Sequence, residues 1–262
     1  IMKRVGFFIL LFATVLTASA QIRIATPNTE MVLSAEQGKT LKIQYFGARL
    51  SDADLANLQA AGVPDHNAYQ PYGFNCASEP AFAATHCDGN MSTVLTVESI
   101  SKAEEPTAEV TRIRLKDTVY PLYVTVCYRA YKDVDMIETW TEIENLEKKP
   151  VTLTRFDSGY LPVRVGDVWL SHLHGTWAAE GRLVQEPLDR GMRVIKNKDG
   201  SRNSHTDHAE VMFSLDGKPQ ENAGRVIGAA LCYSGNYELR IDTKDTDYHE
   251  FFAGINPDNS AY

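Results

Sequence analysis

Three runs of alternating apolar and polar residues between Tyr120 and Leu161 constrain the fold of this chain more than any other feature. The apolar positions of the first two runs recur at every second residue: Leu122, Val124, Val126 and Tyr128, then Ile137, Thr139, Thr141 and Ile143. The third run, formed by Val151, Leu153 and Phe156, breaks that register once. Period-two alternation is typical of strands that bury one face and expose the other. The stretch therefore predicts three consecutive β-strands joined by short turns.

Most of the remaining chain repeats this pattern, so we predict an all-β fold in which two large sheets pack face to face. Further strand candidates lie at 22–25, 30–34, 40–46, 92–99, 108–115, 168–173, 182–185, 192–195, 211–215, 226–233, 237–241 and 251–255. One short helix is predicted at 51–60. Ser51 can cap its first turn, and Asp52 suits the positive end of its dipole.

Residues 64–91 differ from the rest, because they are rich in Pro, Gly, Asn and aromatic side chains and show no stable period. A loop of this length inside a compact domain is usually functional or disordered, and its aromatic content argues against disorder. Tyr69, Tyr72 and Phe74 suit either surface presentation or packing. Exposed rings of this kind can stack on sugars.

The first twenty residues are typical of an export signal. Met2, Lys3 and Arg4 form a positive start, an apolar run follows to Thr17, and the small residues at 18–20 suit cleavage before Gln21. The apolar run is too short to span a bilayer comfortably. We therefore expect a secreted or periplasmic protein whose mature part, 21–262, is one large β domain.

The charge excludes some partners. The formal net charge is −8, and removal of Lys3 and Arg4 with the leader would take it to −10. An acidic surface argues against binding to nucleic acid or to anionic membranes. It is compatible with neutral ligands such as glycans.

The four cysteines give a mixed signal. Cys127 and Cys232 lie inside apolar strand patterns, which favours buried free thiols, whereas Cys76 and Cys87 share the loop-rich segment and could pair after export. No CxxC spacing occurs, so a structural zinc site is not expected.

Two sets of polar residues could carry chemistry. His172 and His174 alternate on one strand candidate, and Asp207 lies between His205 and His208. These residues could build a metal site, but they have no ligand spacing that fixes one, so hydrogen bonding in a groove or seam is the simpler interpretation and no metal or cofactor is predicted. The acidic residues Glu138, Glu142 and Glu144 alternate along one strand, as on a solvated face.

Several stretches together are similar to the N-terminal β-supersandwich domain of glycoside hydrolase family 36, the α-galactosidases. They are YFGARL at 45–50, YG at 72–73 with EPA at 79–81, the sheet run 118–145, HLHGTWAAE at 172–180, SH at 204–205, YSGNYELRID at 233–242 and AGINPDNS at 253–260. Their order and spacing extend over essentially the whole mature chain. The resemblance implies a galactose-mutarotase-like supersandwich fold.

The resemblance also implies the parent activity. Family members place a catalytic (β/α)8 barrel after this domain, and two Asp residues of the barrel perform retaining hydrolysis of terminal α-galactosides. Neither belongs to this chain, which we expect to end near the linker to the barrel. The expected catalytic set within the chain is therefore empty. The expected partners are α-galactoside oligosaccharides through the parent enzyme, its own barrel and further copies in a homo-oligomer.

Site residues follow from the same resemblance. In oligomeric members this domain can reach a neighbour's sugar pocket through a segment that carries an Asp and an Arg before Glu-Pro-Ala. Here Asn75 to Ser78 stand at those positions, and both charges are missing. Asn75 and Glu79 are the substrate-binding candidates, although Glu79 suits a role in fixing the loop. His172, His174 and Trp177 are the candidates for contact with the barrel.

Two other hypotheses remain open on the sequence. A free-standing β-sandwich carbohydrate-binding module would have the same strand pattern. A mutarotase-like enzyme would need a His/Glu pair facing a concave sheet, for which His172 or His174 is the candidate, but fold analogy alone does not establish such chemistry.

Overall fold

The all-β class with one short helix is confirmed. The structure, a computed structural model, describes residues 20–60, 66–73, 78–201, 205–245 and 247–258. In this part the strands and helix are β1 Ala20–Ala25, β2 Thr29–Ala35, β3 Lys42–Ala48, α1 Asp52–Ala60, β4 Phe82–Thr85, β5 Leu95–Glu104, β6 Ala108–Asp117, β7 Leu122–Tyr131, β8 Ile137–Asn145, β9 Thr152–Phe156, β10 Gly159–Arg164, β11 Trp169–His174, β12 Arg182–Pro187, β13 Gly191–Lys196, β14 Asp207–Ser214, β15 Val226–Ala230, β16 Tyr237–Asp245 and β17 Tyr248–Ile255.

The strands form antiparallel sheets in five groups. The front sheet has the order β5-β6-β7-β8, the middle sheet β10-β17-β16-β13 and the back sheet β12-β11-β14-β15. Two smaller sheets, β1-β2-β3 and β4-β9, complete the described part. Helix α1 begins after Ser51, whose hydroxyl accepts the Asp54 N–H at 3.2 Å, as predicted for a cap.

Strand β17 separates two apolar cores, because successive residues of a strand point to opposite faces. Phe252 packs in the first core, with residues of β1–β8 such as Leu33 and Val124. Phe251 and Ala253 pack in the second core, with residues of the back sheet. The middle sheet is therefore buried on both faces along β17, so polar residues there require partners inside the protein.

The first predicted strands are confirmed in position and orientation. Leu122, Val124, Val126 and Tyr128 are all buried. On β8, Glu138, Glu142 and Glu144 are exposed, as predicted for a solvated face. They face arginines of β7 and β6: Arg129 of β7 at 2.5 Å, and Arg112 and Arg114 of β6 at 3.7 Å and 2.5 Å, respectively. Each arginine neutralises a carboxylate on the outer face.

Two of the observed strands, β4 and β10, were not predicted from the sequence. Strand β4 lies inside the loop at 64–91. Its residues Phe82, Ala83 and Ala84 are all buried, so its sequence is a continuous apolar run and shows no alternation. Strand β10 contains Pro162, a residue that central strands avoid because it lacks a backbone N–H. It is tolerated because β10 is an edge of the middle sheet, where one backbone N–H is not needed.

The prediction of a buried free thiol is confirmed for Cys127 and wrong for Cys232. Cys127 is a buried free thiol, as predicted, and burial raises its pKa to about 12. The prediction that Cys232 is buried is wrong, since this thiol is exposed. Strand β15 ends at Ala230, so Cys232 lies beyond the strand at the edge of the back sheet. Cys87 is exposed, while Cys76 lies outside the described residues, and its pairing stays a prediction.

The predicted leader, residues 1–20, lies outside the described residues except for Ala20. No helix of the described ranges is both long and apolar enough to cross a membrane.

Candidate functional site

The described parts of the long loop are fastened to the sheets by their own backbone. Tyr72 N–H donates to the carbonyl of Phe82 at 2.8 Å, and Ala81 N–H donates to that of Gln70 at 2.8 Å. Tyr69 is buried, and its hydroxyl donates to the Asp157 carbonyl at 2.9 Å. The Tyr69 ring therefore packs inside the protein and is not presented at the surface. Tyr72 is 46% exposed, and Phe74 lies outside the described residues.

An arginine cluster fixes the segment that follows. We use this name for Arg240 and Arg155 with the carboxylates of Glu79, Asp157 and Glu238. Arg240 is only 3% exposed. Its Nη2 lies 2.6 Å from Asp157 Oδ2, its Nη1 3.2 Å from Glu79 Oε2, and its Nε 3.1 Å from Glu238 Oε1.

Further contacts complete the coordination of this guanidinium. Nη2 of Arg240 also donates to the Pro80 carbonyl at 3.0 Å, and its Cζ lies 4.4 Å from the centroid of the Phe252 ring. Arg155 Nη1 lies 2.9 Å from Glu238 Oε1. A planar guanidinium with several donors suits such a multiple contact, which an ammonium group cannot reproduce. The cluster ties the Glu79–Pro80 turn to β16 and to the segment between β9 and β10.

A second set of polar contacts, centred on Lys244, also holds this segment. Lys244 Nζ donates to Ser78 Oγ at 2.7 Å and lies 2.5 Å from Glu250 Oε2. Glu250 is fully buried and also accepts the hydroxyl of Tyr160 at 2.7 Å. A buried carboxylate is tolerated only with partners of this kind. Ser78 is thereby held against the middle sheet.

Asp157 is the most deeply buried carboxyl of the cluster. Burial raises its pKa to about 6, against the opposing effect of Arg240 and Arg155. The backbone of β17 approaches it closely, because a Cβ at Gly254 would lie 2.8 Å from Asp157 Cα. Glycine at 254 is thus required by the close approach of the two segments.

The structure describes only one of the two substrate-binding candidates. Asn75 lies outside the described residues. The side chain of Glu79 is 44% exposed, and one of its oxygens faces Arg240. The structure therefore gives Glu79 an anchoring contact, while its role towards a sugar stays a prediction.

The second region is the histidine end, which we define as the end of the back sheet that carries His172, His174, His205, Asp207 and His208. His174 Nδ1 lies 2.7 Å from Asp207 Oδ1 on the neighbouring strand. His205 Nε2 lies 3.3 Å from Glu180 Oε1, and His208 Nδ1 lies 3.5 Å from Glu210 Oε2. Each of these imidazoles has a carboxylate neighbour, and all three side chains keep a quarter or more of their surface exposed.

His172 and Trp177 complete this region. The Nδ1 atom of His172 is buried and has no hydrogen-bond partner among the described residues. Burial lowers the pKa of this imidazole, while Asp207 opposes that effect. Trp177 lies in the turn after β11 and is 82% exposed. It is therefore not a core residue of this domain. Contact of the three candidates with a barrel stays a prediction.

The fold brings together motifs that are distant in sequence. The HLHGTW motif covers the end of β11 and the turn after it, where Gly175 N–H donates to the Thr206 carbonyl at 2.6 Å, next to His205. A depression of about 300 Å³ between the start of β14 and the segment after β15 is lined by His208, Glu210, Cys232 and Tyr233 among others. Within the described ranges no group of three or more His, Cys, Asp or Glu is arranged to hold a metal ion.

Sequence analysis missed the arginine cluster. Glu238 and Arg240 alternate with Leu239 and Ile241, which looks like one apolar and one solvated face. Both faces of β16 are in fact buried. The available signal was the run of apolar and aromatic residues in the adjacent strand β17, which is typical of a strand inside a layered fold.

Comparison with known proteins decides the family. A model of the glycosyl hydrolase family 36 N-terminal domain matches residues 39–262. This chain belongs to that family. The resemblance found in the sequence is confirmed.

The relatives of this family-36 domain are α-galactosidases. AgaA of Geobacillus stearothermophilus is 28% identical over 153 residues, which cover 58% of this chain and 21% of the relative. Mel36A of Lactobacillus acidophilus is 26% identical over 156 residues, which cover 60% of this chain and 21% of the relative. The matched region thus spans about a fifth of the length of these relatives.

Solved structures show the same fold. The crystal structure of AgaA superposes with a TM-score of 0.82 at 22% identity, covering 93% of this chain and 38% of that chain. The galactosidase domain of the α-galactosidase–sucrose kinase AgaSK superposes with a TM-score of 0.84 at 19% identity, covering 95% and 39%. Variants of AgaA have been crystallised in complex with raffinose and with stachyose.

Proposed function

We propose that this chain is the N-terminal, non-catalytic domain of a secreted retaining α-galactosidase that releases terminal α-linked galactose from oligosaccharides. The observation that carries the proposal is the family match over 39–262, together with relatives that are α-galactosidases. Raffinose and stachyose, which occur in complexes of AgaA, are the first substrates to test.

The environment of the buried carboxylates supports a non-catalytic role. Retaining hydrolysis needs two carboxyls about 5–5.5 Å apart on either side of the scissile bond. Asp157 and Glu238 lie inside the protein and are paired with Arg240. Carboxylates engaged in this way hold the fold together and offer no oxygen to a substrate.

A docking role follows for the histidine end. Trp177 is the most exposed large apolar side chain of the described residues. Exposed apolar groups beside polar ones are typical of interaction surfaces. We propose that His172, His174 and Trp177 contact the barrel of the parent enzyme.

The long loop has the second role. The arginine cluster and Lys244 hold Glu79 and Ser78 on the middle sheet, which fixes one end of the segment that contains Asn75. We propose that this segment approaches the sugar pocket of a neighbouring subunit in a homo-oligomer. Asn75 would hydrogen-bond a sugar hydroxyl, and Glu79 would keep the segment in place.

Expression of the whole reading frame that contains this sequence provides the test of activity. The full-length product should release galactose from raffinose, while residues 21–262 alone should not. A full-length product without α-galactosidase activity would contradict the proposal, as would hydrolysis by the domain alone. Export is tested by the N-terminal sequence of the secreted product, which should begin at Gln21.

Trp177 gives a test of docking. Trp177→Ala should leave the thermal unfolding midpoint of the isolated domain unchanged, because the side chain is largely in water. In the full-length enzyme the same change should lower the midpoint of the transition that includes this domain. Tyr72→Ala, which removes another partly exposed aromatic ring, serves as the matched control. Equal behaviour of Trp177→Ala in both proteins would argue against a contact with the barrel.

A further inference from the structure

All but one of the edge strands in the described part of the chain are protected against pairing with other chains. Proteins protect sheet edges with charged residues or prolines, because an edge offers unpaired backbone groups. Among the described strands, such residues occur on the edges as Arg23 in β1, Lys42 in β3, Glu98 in β5, Glu138 in β8, Arg155 in β9, Pro162 in β10, Arg182 in β12 and Arg193 in β13. Strand β4 has neither a charge nor a proline, but three of its four residues are buried.

Strand β15 is the exception, because it has no protection and is exposed. Its sequence VIGAA contains neither a charge nor a proline. It pairs only with β14 among the described strands, and its other side is the edge of the back sheet. Val226, Gly228 and Ala230 are exposed, Val226 to 53%.

The hydrogen bonds of the ladder show which backbone groups face outwards. Leu231 N–H donates to the Ala209 carbonyl, and the Arg225 carbonyl accepts the Leu215 N–H, both at 2.9 Å. In an antiparallel pair the residues of one strand alternate between those bonded to the partner and those that point away from it. Residues 225, 227, 229 and 231 therefore face β14, and the N–H and C=O groups of Val226, Gly228 and Ala230 face the open edge.

These groups match a second copy of the same strand. Antiparallel pairing about a two-fold axis at Gly228 would place Val226 opposite Ala230 of the other copy, and Gly228 opposite its own equivalent. The outward groups would then form roughly six backbone hydrogen bonds. Two chains of net charge −8 repel each other, so a contact strand without charge is the place where they can approach.

The flanking residues support this arrangement. The charge next to the strand in sequence, Arg225, is held within its own chain by Asp216, with Nη2 2.6 Å from Oδ1. It is therefore not presented as a like charge to its equivalent. Met212 lies opposite Gly228 on β14 and is also exposed, which extends the apolar surface beside the strand.

We propose that β15 pairs with β15 of a second copy, so that two back sheets join into one continuous eight-stranded sheet. This inference names the interface of the homo-oligomer in the proposed function, and its role in the enzyme rests on that proposed function. It assigns the interface to the Val226–Ala230 edge.

Gly228→Lys tests the pairing directly. A Cβ at position 228 meets no atom within 4 Å, so the variant should fold as the parent does. In the two-fold pair the two lysines would lie opposite each other, and like charges so placed oppose association. Val194→Lys, at an exposed position of the protected edge strand β13, introduces the same charge elsewhere and is the matched control.

Sedimentation velocity of residues 21–262 at up to about 100 µM covers association with a micromolar Kd. We expect a dimer that Gly228→Lys weakens at least about tenfold and Val194→Lys leaves unchanged. The amides of Val226, Gly228 and Ala230 should exchange slowly with solvent at high concentration and rapidly on dilution.

Three results would overturn the proposal: a monomer at all concentrations, a dimer that Gly228→Lys leaves intact, or a dimer in which these three amides exchange freely. Circular dichroism establishes that each variant is folded. None of these outcomes bears on raffinose hydrolysis by the full-length enzyme, so failure of this interface is distinguishable from failure of the proposed function.

Discussion

The arginine cluster and the histidine end both pair carboxylates with basic side chains, but they differ in their exposure to water. Arg240 and Asp157 are almost completely buried, and the guanidinium contacts three carboxylates and a carbonyl. At the histidine end, the side chain of His174 is 49% exposed and that of Asp207 is 16% exposed.

This difference separates a site that holds the fold from one that can receive a partner. Removal of one member of a buried ion pair leaves an uncompensated charge, which is costly, whereas an exposed pair contributes little because water replaces the lost partner. The arginine cluster therefore belongs to the stability of the domain and the position of the loop. The histidine end keeps polar groups and Trp177 available for contact.

The largest expected effect is the loss of Arg240. Arg240→Met should lower the free energy of unfolding by about 3–5 kcal/mol, because the buried carboxylate of Asp157 loses its ion-pair partner and Glu238 keeps only Arg155. Denaturant unfolding at pH 7 measures it. Arg112→Met is the matched control, since Arg112 lies on the outer face of the front sheet, 3.7 Å from Glu142. Its effect should stay below about 1 kcal/mol. Similar losses in both variants would remove the distinction between the two kinds of pair.

The pH dependence of Asp157 provides the second test. Its pKa of about 6 in the folded protein exceeds the ordinary value of 3.8, so the folded state binds the proton more tightly than the unfolded state. Stability from this group therefore rises as the pH falls through 6, and the gain is complete only below about pH 3. Relative to Asp157→Asn, the parent domain should gain about 2 kcal/mol between pH 7 and pH 4.

Asp216 is the control for the sign of this effect. Hydrogen bonds from Arg225 lower the pKa of this exposed carboxyl, so its contribution is lost as the pH falls. Relative to Asp216→Asn, the parent domain should therefore lose stability towards low pH. Parallel slopes for the two variants would contradict the assignment of a raised pKa to Asp157.

The smallest expected effect lies at the histidine end. Asp207→Asn should change the free energy of unfolding by less than about 1 kcal/mol, because its partner His174 is half in water. The same change should lower the pKa of His172 further, since the charge of Asp207 opposes the effect of burial. An NMR titration of the histidines measures this shift. A large loss of stability would show that the histidine end is as structural as the arginine cluster.

Local pattern was sufficient for most strands but not for two of them. The alternation in β7 and β8 predicted both strands and the apolar face that each turns to the core, because period-two alternation is typical of a strand with one core-facing side. The opposite face of β7 is not uniformly exposed, since Thr125 and Cys127 are buried as well. Strand β4 failed the same criterion because neighbouring elements cover both of its faces, and β10 failed it because Pro162 is acceptable only at an edge. Position within the layers decides both cases, and a single strand does not encode its neighbours.

The candidate sites divide in the same way. The sequence singled out Glu79, His172, His174 and Trp177 through motifs, and it indicated that the loop is special. It gave no sign that Arg240 would contact Glu79, because these residues are 161 positions apart. Contacts of such separation depend on the packing of the middle sheet against the loop.

By itself the sequence determined the strand-rich class, the single capped helix, the acidic surface and the family, because each depends on residue type, local period or the order of motifs along the chain. The tertiary structure alone decided which alternating residues face water and which face a second layer. That decision makes Arg240 a buried anchor, Cys232 an exposed thiol and β15 an open edge. The physical reason is that burial depends on what lies across from a strand, and the opposing surface comes from distant parts of the chain.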